Sequence, residues 1–226
     1  MDVYTTTVKF FQEGGLFMYP IAIVLALGLA IAIERWLFLT MTTVKNKALW
    51  NAVTPYLKSG NLSGAMQITT KSRAAIAQIM TYGLNRVRSA RRREDVEQAM
   101  EESLMEVMPR LEKRTHYLAT FANIATLLGL LGTIVGLISA FTAVANANPA
   151  EKADMLSGAI SVAMNTTAFG LIVAIPLLLV HTLLQTKTTE IIDSLEMASV
   201  KFLNAITERA ASEGKPAAAT GGKAAG

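Results

Sequence analysis

Two apolar runs, residues 117–147 and 155–184, are each longer than the roughly 18 residues that cross a bilayer as a helix, and they hold almost no charge. In hydrocarbon every backbone N–H and C=O must find its partner within the protein, so a run of this length is stable there only as a helix. A third run, residues 16–33, is uncharged and continues past Glu34 and Arg35 into four further apolar residues. Apolar residues make up 52% of the 226, and the mean hydropathy is +0.38. Together these predict an all-α membrane protein with three transmembrane helices, over residues 16–40, 117–147 and 155–186.

The first run is not read as a cleaved signal peptide, although Ala30-Ile31-Ala32 offers a small-residue pair. A signal peptide opens on a positive region, whereas this chain carries Asp2, Lys9 and Glu13 ahead of Leu16. Tyr4, Phe10 and Phe11 instead predict a short interfacial helix over residues 1–15.

Lys and Arg fix the expected orientation, because cytoplasmic loops keep positive charge. Thirteen of them lie between the first and second spans, against Lys152 alone in the turn between the second and third. That asymmetry predicts the N-terminus outside and residues 41–116 in the cytoplasm. It then puts the hairpin 148–154 outside and the C-terminus inside. The net charge of +4 is thus mainly a topology signal. Arg91-Arg92-Arg93 is read as a surface for anionic lipid headgroups, and no nucleic-acid partner is expected.

The cytoplasmic segment carries helical periodicity. A break at Gly60-Asn61-Leu62-Ser63-Gly64 separates two helices, with Asn61 or Ser63 able to cap the second. Val96, Met100, Leu104, Val107 and Leu111 recur at spacings of three and four, an amphipathic helix. It is expected to run into the second span, with Pro109 a local bend or break; unbroken to Ala145 it would reach about 75 Å. Asn148-Pro149-Ala150-Glu151 reads as a helix start. The third span is expected to continue as a cytoplasmic helix over 187–210, through Ile191, Ile192, Leu195 and Phe202. Residues 211–226, rich in Ala, Gly, Lys and Pro, carry too little apolar surface to fold and are expected to be disordered.

Within the two later spans, small and polar residues form a pattern. Gly129, Gly132 and Gly136 include a Gly-x-x-x-Gly pair that allows close helix approach. Ala163, Thr167, Gly170 and Ala174 share one face of the third span, with Val162, Thr166 and Phe169 beside it. Pro176 lies one turn beyond as a packing and hinge position. Thr133, Asn165, Thr166 and Thr167 form a belt of neutral oxygens, the kind of ligand a hard cation takes in place of water. A threonine in a membrane helix can equally spend its hydroxyl on the carbonyl one turn back, while a carboxamide such as Asn165 needs a partner across an interface. The belt of Thr133, Asn165, Thr166 and Thr167 is therefore read as a candidate ion pathway, its oxygens available to a hard cation or to water.

The chain holds no cysteine and no HExxH or phosphate-loop pattern. With no acid or base inside the second or third span before His181, little is left to build an enzyme from. No enzymatic activity and no cofactor are expected. Glu34 and Arg35, at the inner end of the first span, are read as interfacial anchors or an ion pair, with coupling to transport as the sharper role. His116 and His181 are read as interfacial histidines.

The quoted residues resemble the MotA/TolQ/ExbB ion-channel family, most closely its TolQ/ExbB branch. The resemblance rests on Gly14-Gly15-Leu16-Phe17-Met18-Tyr19-Pro20, on Ile33-Glu34-Arg35, on the Leu128-to-Leu137 segment around Gly132-Thr133, and on Asn165-Thr166-Thr167 through Pro176. It implies a homopentameric ring in the bacterial inner membrane, its second and third spans around a lumen. Two copies of a single-span TolR/ExbD-like partner would sit there, carrying an ion-binding Asp. A TonB-like or envelope protein would receive the work, and the transported ion would be Na+ or H+. Many such proteins carry a glutamate five residues before the position of Thr167; here that position is Val162, so a titratable carrier must come from the partner. The Thr166-Thr167 doublet with Thr133 resembles the hydroxyl set of sodium-driven stators. The alternative is a non-conducting membrane scaffold that organises partner helices and anionic lipids.

Overall fold

The computed structural model describes residues 14–87, 89, 92–145 and 147–213, with backbone alone at 209–213. The expected interfacial helix over 1–15 lies almost wholly outside these residues, as do Arg91 and most of the tail. Among the described residues there is no strand, and six helices follow one another. They are α1 (Met18–Ser59), α2 (Leu62–Lys71), α3 (Ala75–Val87), α4 (Arg93–Glu112), α5 (Thr115–Ala145) and α6 (Lys152–Glu213). Helices α1, α5 and α6 each hold a stretch long and apolar enough to cross a membrane.

The chain divides into two compact units, one formed by residues up to Leu37 with Glu112–Thr186, the other by Phe38–Leu111 with the residues from Lys187 onward. The first contains the apolar stretches and is called the membrane unit. The second is the extramembrane unit.

In the membrane unit α1 and α6 run parallel: Gly14 meets Thr166 near the start of α1, and Gly28 meets Leu177 farther along. Helix α5 runs antiparallel to α6, pairing Gly136 with Ala163, Gly132 with Thr166 and Gly129 with Thr167 and Gly170. Pro176 is accommodated inside a continuous α6.

The second span does not continue the amphipathic helix without interruption. Helix α4 passes through Pro109 and ends at Glu112, and the break falls at Lys113 and Arg114, where Arg114 takes a left-handed backbone with φ of 68°. A left-handed residue cannot continue a right-handed helix, so α4 and α5 are two helices with a break between them. Helix α6 likewise starts later than Asn148-Pro149 implies. The Glu151 N–H donates to the Asn148 carbonyl at 3.0 Å, a turn with Pro149 at its second position, and the α-helix opens at Lys152.

The extramembrane unit obeys its periodicity. All five apolar residues predicted for one face of α4 are buried, as are Ile191, Ile192, Leu195 and Phe202 of α6. Gly60 closes α1 with φ of 70°, which costs glycine little for lack of a Cβ. Asn61 then caps α2, its side-chain oxygen accepting the Gly64 N–H at 2.8 Å.

Candidate ion path

The contact between α5 and α6 is made by residues too small to hold the helices apart. A Cβ on Gly170 would stand 2.7 Å from the Ala125 carbonyl oxygen and 3.1 Å from the Gly129 Cα, closer than atoms tolerate. A Cβ on Gly132 would collide with the Thr166 methyl group, and one on Gly136 would press on Ala163 at 3.1 Å. Ala163, Gly170 and Ala174 are buried here. Gly129, Gly132, Gly136 and Gly170 thus all lie where α5 and α6 meet.

That close approach puts backbone carbonyls within reach of threonine hydroxyls. Thr167 donates across the seam to the Gly129 carbonyl at 2.9 Å. Buried Thr166 reaches the Gly14 carbonyl at 2.6 Å and its own-helix Val162 carbonyl at 3.0 Å, so one proton is shared between two acceptors. Thr133 is half-buried and donates to the Leu130 carbonyl at 2.6 Å, a bond within its own helix. Asn165 is half-buried and makes no side-chain hydrogen bond among the described residues. Thr166 and Thr167 are therefore drawn into the seam with Gly129 and Gly132, Thr133 is satisfied locally, and Asn165 alone is left with its hydrogen-bonding capacity open.

A donating hydroxyl still keeps its lone pairs. With the proton anchored on a carbonyl, the oxygen of each threonine points its acceptor side elsewhere, the polarity a cation or a water needs.

The Gly14 carbonyl is a member of this cluster that sequence reasoning missed. Gly15, at φ of 74°, turns the chain so that Gly14 seats beside Thr166, and Val162 closes over it. The signal was the Gly14-Gly15 pair ahead of the first span, legible as a turn but not as a partner of a residue about 150 positions away. The same contact fixes the level of the belt. Thr166 lies beside the first turn of α1, so the belt is at one end of that helix's apolar run, and α6 begins fourteen residues earlier, about 21 Å beyond it.

At the other end of α1, the Arg114 guanidinium pairs with the Glu34 carboxylate at 3.4 Å, both side chains about half exposed. Arg35 beside it is buried at 2%. Arg114, the left-handed residue between α4 and α5, thus makes an ion pair with Glu34 of the first span. One flank of each later span stays bare: Leu127, Ile138 and Phe141 of α5 and Met164, Ile172 and Leu179 of α6 each expose 60% or more. An apolar surface of this extent requires lipid or another protein to cover it.

The MotA/TolQ/ExbB proton channel family matches residues 71–197, more than half of the chain and including the whole α5–α6 seam. Among similar proteins, one described as a biopolymer transport protein ExbB homolog in Methanothermobacter thermautotrophicus is 28% identical over 87% of this chain and 69% of its own length. An ExbB-like protein of Synechocystis is 28% identical over 74% of this chain and 80% of its own. The Tol-Pal system protein TolQ of Haemophilus influenzae is 36% identical over 36% of this chain and 35% of its own. With three apolar helices, a glycine seam and a threonine belt in the matched region, this chain belongs to the MotA/TolQ/ExbB proton channel family, in its TolQ/ExbB branch, as a multi-pass membrane protein.

Proposed function

We propose that this protein is the ring-forming channel subunit of an ion-driven motor in the inner membrane, doing work at the outer membrane or cell envelope through a TolR/ExbD-like partner. The observation that carries the proposal is the pairing of a bare apolar flank on α5 and α6 with a belt of neutral oxygens in spans that hold no acid or base between Asp154 and His181. Copies of the chain would cover those flanks in a homopentamer, with the N-terminus periplasmic and the C-terminus cytoplasmic. The lumen would hold two single-span partner helices, each bringing the Asp this chain lacks.

The belt's role is to solvate the ion while the partner carries the counter-charge. Sodium must exchange water for several oxygens at about 2.3–2.5 Å, comparable to the distances of other hard cations, and Thr133, Thr166 and Thr167 would offer them. A proton would need only a hydrogen-bonded water beside the partner's carboxylate. Both ions fit the residues, and since this stretch holds no titratable group, proton loading in this reading belongs to the partner.

A specific observation favours the scaffold as second reading: all three belt threonines donate to backbone carbonyls within one protomer. Under that reading the hydroxyls are structural glue. The two separate in vesicles holding the protein with its partner. Thr133→Val removes a hydroxyl that only closes its own helix, so assembly should persist while sodium- or proton-dependent flux falls at least tenfold. Unchanged flux in that variant and in Thr167→Val would make the belt structural. Assembly itself is read by native mass spectrometry, where five 24.3 kDa chains with two partners are expected and a lone chain would contradict the ring.

A further inference from the structure

The extramembrane unit contains a cavity of about 270 Å³ whose chemistry the ion path does not use. It opens between α1, α3 and α4. Three cations line it, Lys45, Arg73 and Arg110, and no acidic residue does. Lys45 and Arg73 make no ion pair or hydrogen bond among the described residues. Arg110 is held over the cavity by Gln78 at 3.4 Å and by Glu106 at 3.0 Å, which offsets part of its charge.

Two features behind these cations show a built site rather than a basic surface. Helix α3, thirteen residues long, starts at the cavity wall with Ala74 and Ala75, so its positive end contributes there. Asn46 also lines the wall and is 5% exposed. Its Oδ1 accepts the Ile76 N–H at 3.3 Å, which fixes the amide's orientation, and its Nδ2 is buried without a hydrogen-bond partner. A buried donor left without an acceptor is destabilising, a cost that an anion in the cavity would remove.

We propose that this cavity binds the phosphate of an anionic phospholipid headgroup. A free phosphate shares the same chemistry, and the position of the cavity favours the lipid. Phe38 and Met41, both exposed, form its wall on either side of Leu39, where the apolar run of the first span ends, with Lys45 one turn farther on. Acyl carbons would meet the aromatic and thioether side chains while the phosphate meets Lys45, Arg73 and Asn46 Nδ2, in charge-assisted hydrogen bonds. The site would clamp α1 to α3 and α4 only when an anionic lipid is present. It stands whether or not the protein conducts ions.

The test is a titration of the detergent-purified full chain with short-chain phosphatidylglycerol, phosphatidylcholine and inorganic phosphate, followed by native mass spectrometry or intrinsic fluorescence. Phosphatidylglycerol should bind at least tenfold more tightly than either of the others. Lys45→Ala with Arg73→Ala should weaken it at least tenfold. Asn46→Asp keeps the oxygen that caps Ile76 but turns the donor into a carboxylate oxygen, and should do the same. Lys58→Ala with Arg86→Ala removes an equal charge from exposed positions outside the cavity and should change affinity less than threefold. Equal binding of phosphatidylcholine, equal binding of inorganic phosphate, equal weakening by the control pair, or an unaffected Asn46→Asp would each overturn the proposal.

Discussion

The two units of this chain solve helix packing in opposite ways. In the membrane unit α5 and α6 meet through absence of side chain, although Met18, Ile21, Leu118 and Leu184 are wholly buried elsewhere in that unit: Gly129, Gly132, Gly136 and Gly170 let backbones touch and let Thr166 and Thr167 bond to carbonyls of other segments. In the extramembrane unit they meet through bulk, with Met80, Met100, Leu195 and Phe202 each 1% exposed or less. Even its buried glycine, Gly83, makes room for side chains, those of Met100 and Phe202, rather than for backbone. The difference follows from the solvent. Burying a large apolar side chain is rewarded only where the alternative is water. Lipid tails offer it an equal environment, so helices there gain by close van der Waals contact and hydrogen bonds instead.

If that comparison holds, substitutions that shrink side chains and substitutions that enlarge them should injure different units. The largest effect belongs to Phe202→Ala, which empties a wholly buried position and should cost the extramembrane unit about 4 kcal/mol, read as loss of its cooperative melting. Gly170→Val comes next: its new atoms have only backbone to meet, so the seam must open, at about 2 kcal/mol. Gly158→Ala, with nothing within 4 Å of the added carbon, should be neutral or slightly stabilising in the same melt. A Gly170→Val protein as stable as Gly158→Ala would break the account of the seam.

Smaller effects sharpen it. Thr166→Val removes a bond to Gly14 and should cost about 1 kcal/mol, whereas Thr133→Val loses only a bond within its helix and should leave the melting temperature unchanged. The pair separates tertiary from local hydroxyls without reference to ion flux. A loss smaller than that of Thr166→Val is expected of Glu34→Gln, because a half-exposed pair such as Glu34 with Arg114 contributes at most about 0.5 kcal/mol. Raising salt should erase even that difference. A loss above 1.5 kcal/mol would assign the pair a larger part in holding the start of α5 against α1.

Much of the fold was legible because it repeats along the chain. The length of the apolar runs set the spans, and the spacing of Val96, Met100, Leu104, Val107 and Leu111 set the buried face of α4. Gly60-Asn61 set a helix end and a cap through backbone conformations that only certain residues favour. The break at Arg114 was not legible, since nothing in Lys113-Arg114 marks a left-handed residue and Pro109 drew attention to a place the helix passes through intact. Nor was the delay of α6 to Lys152, where Asn148 and Pro149 serve equally well in a turn as in a cap.

For the candidate path, the sequence by itself determined which side chains are available: three hydroxyls, a carboxamide, a row of glycines and no acid or base. It also determined that they lie in apolar helices, because hydropathy and periodicity are sums over neighbours in the chain. Only the tertiary structure decided what each group touches. Thr167 reaches Gly129 across 38 positions and Thr166 reaches Gly14 across 152, while Thr133, of the same chemistry in the same belt, turns back on its own helix. A hydroxyl's partner depends on how closely two backbones approach and in which register, and that distance is set by packing among residues that the order of the chain keeps far apart.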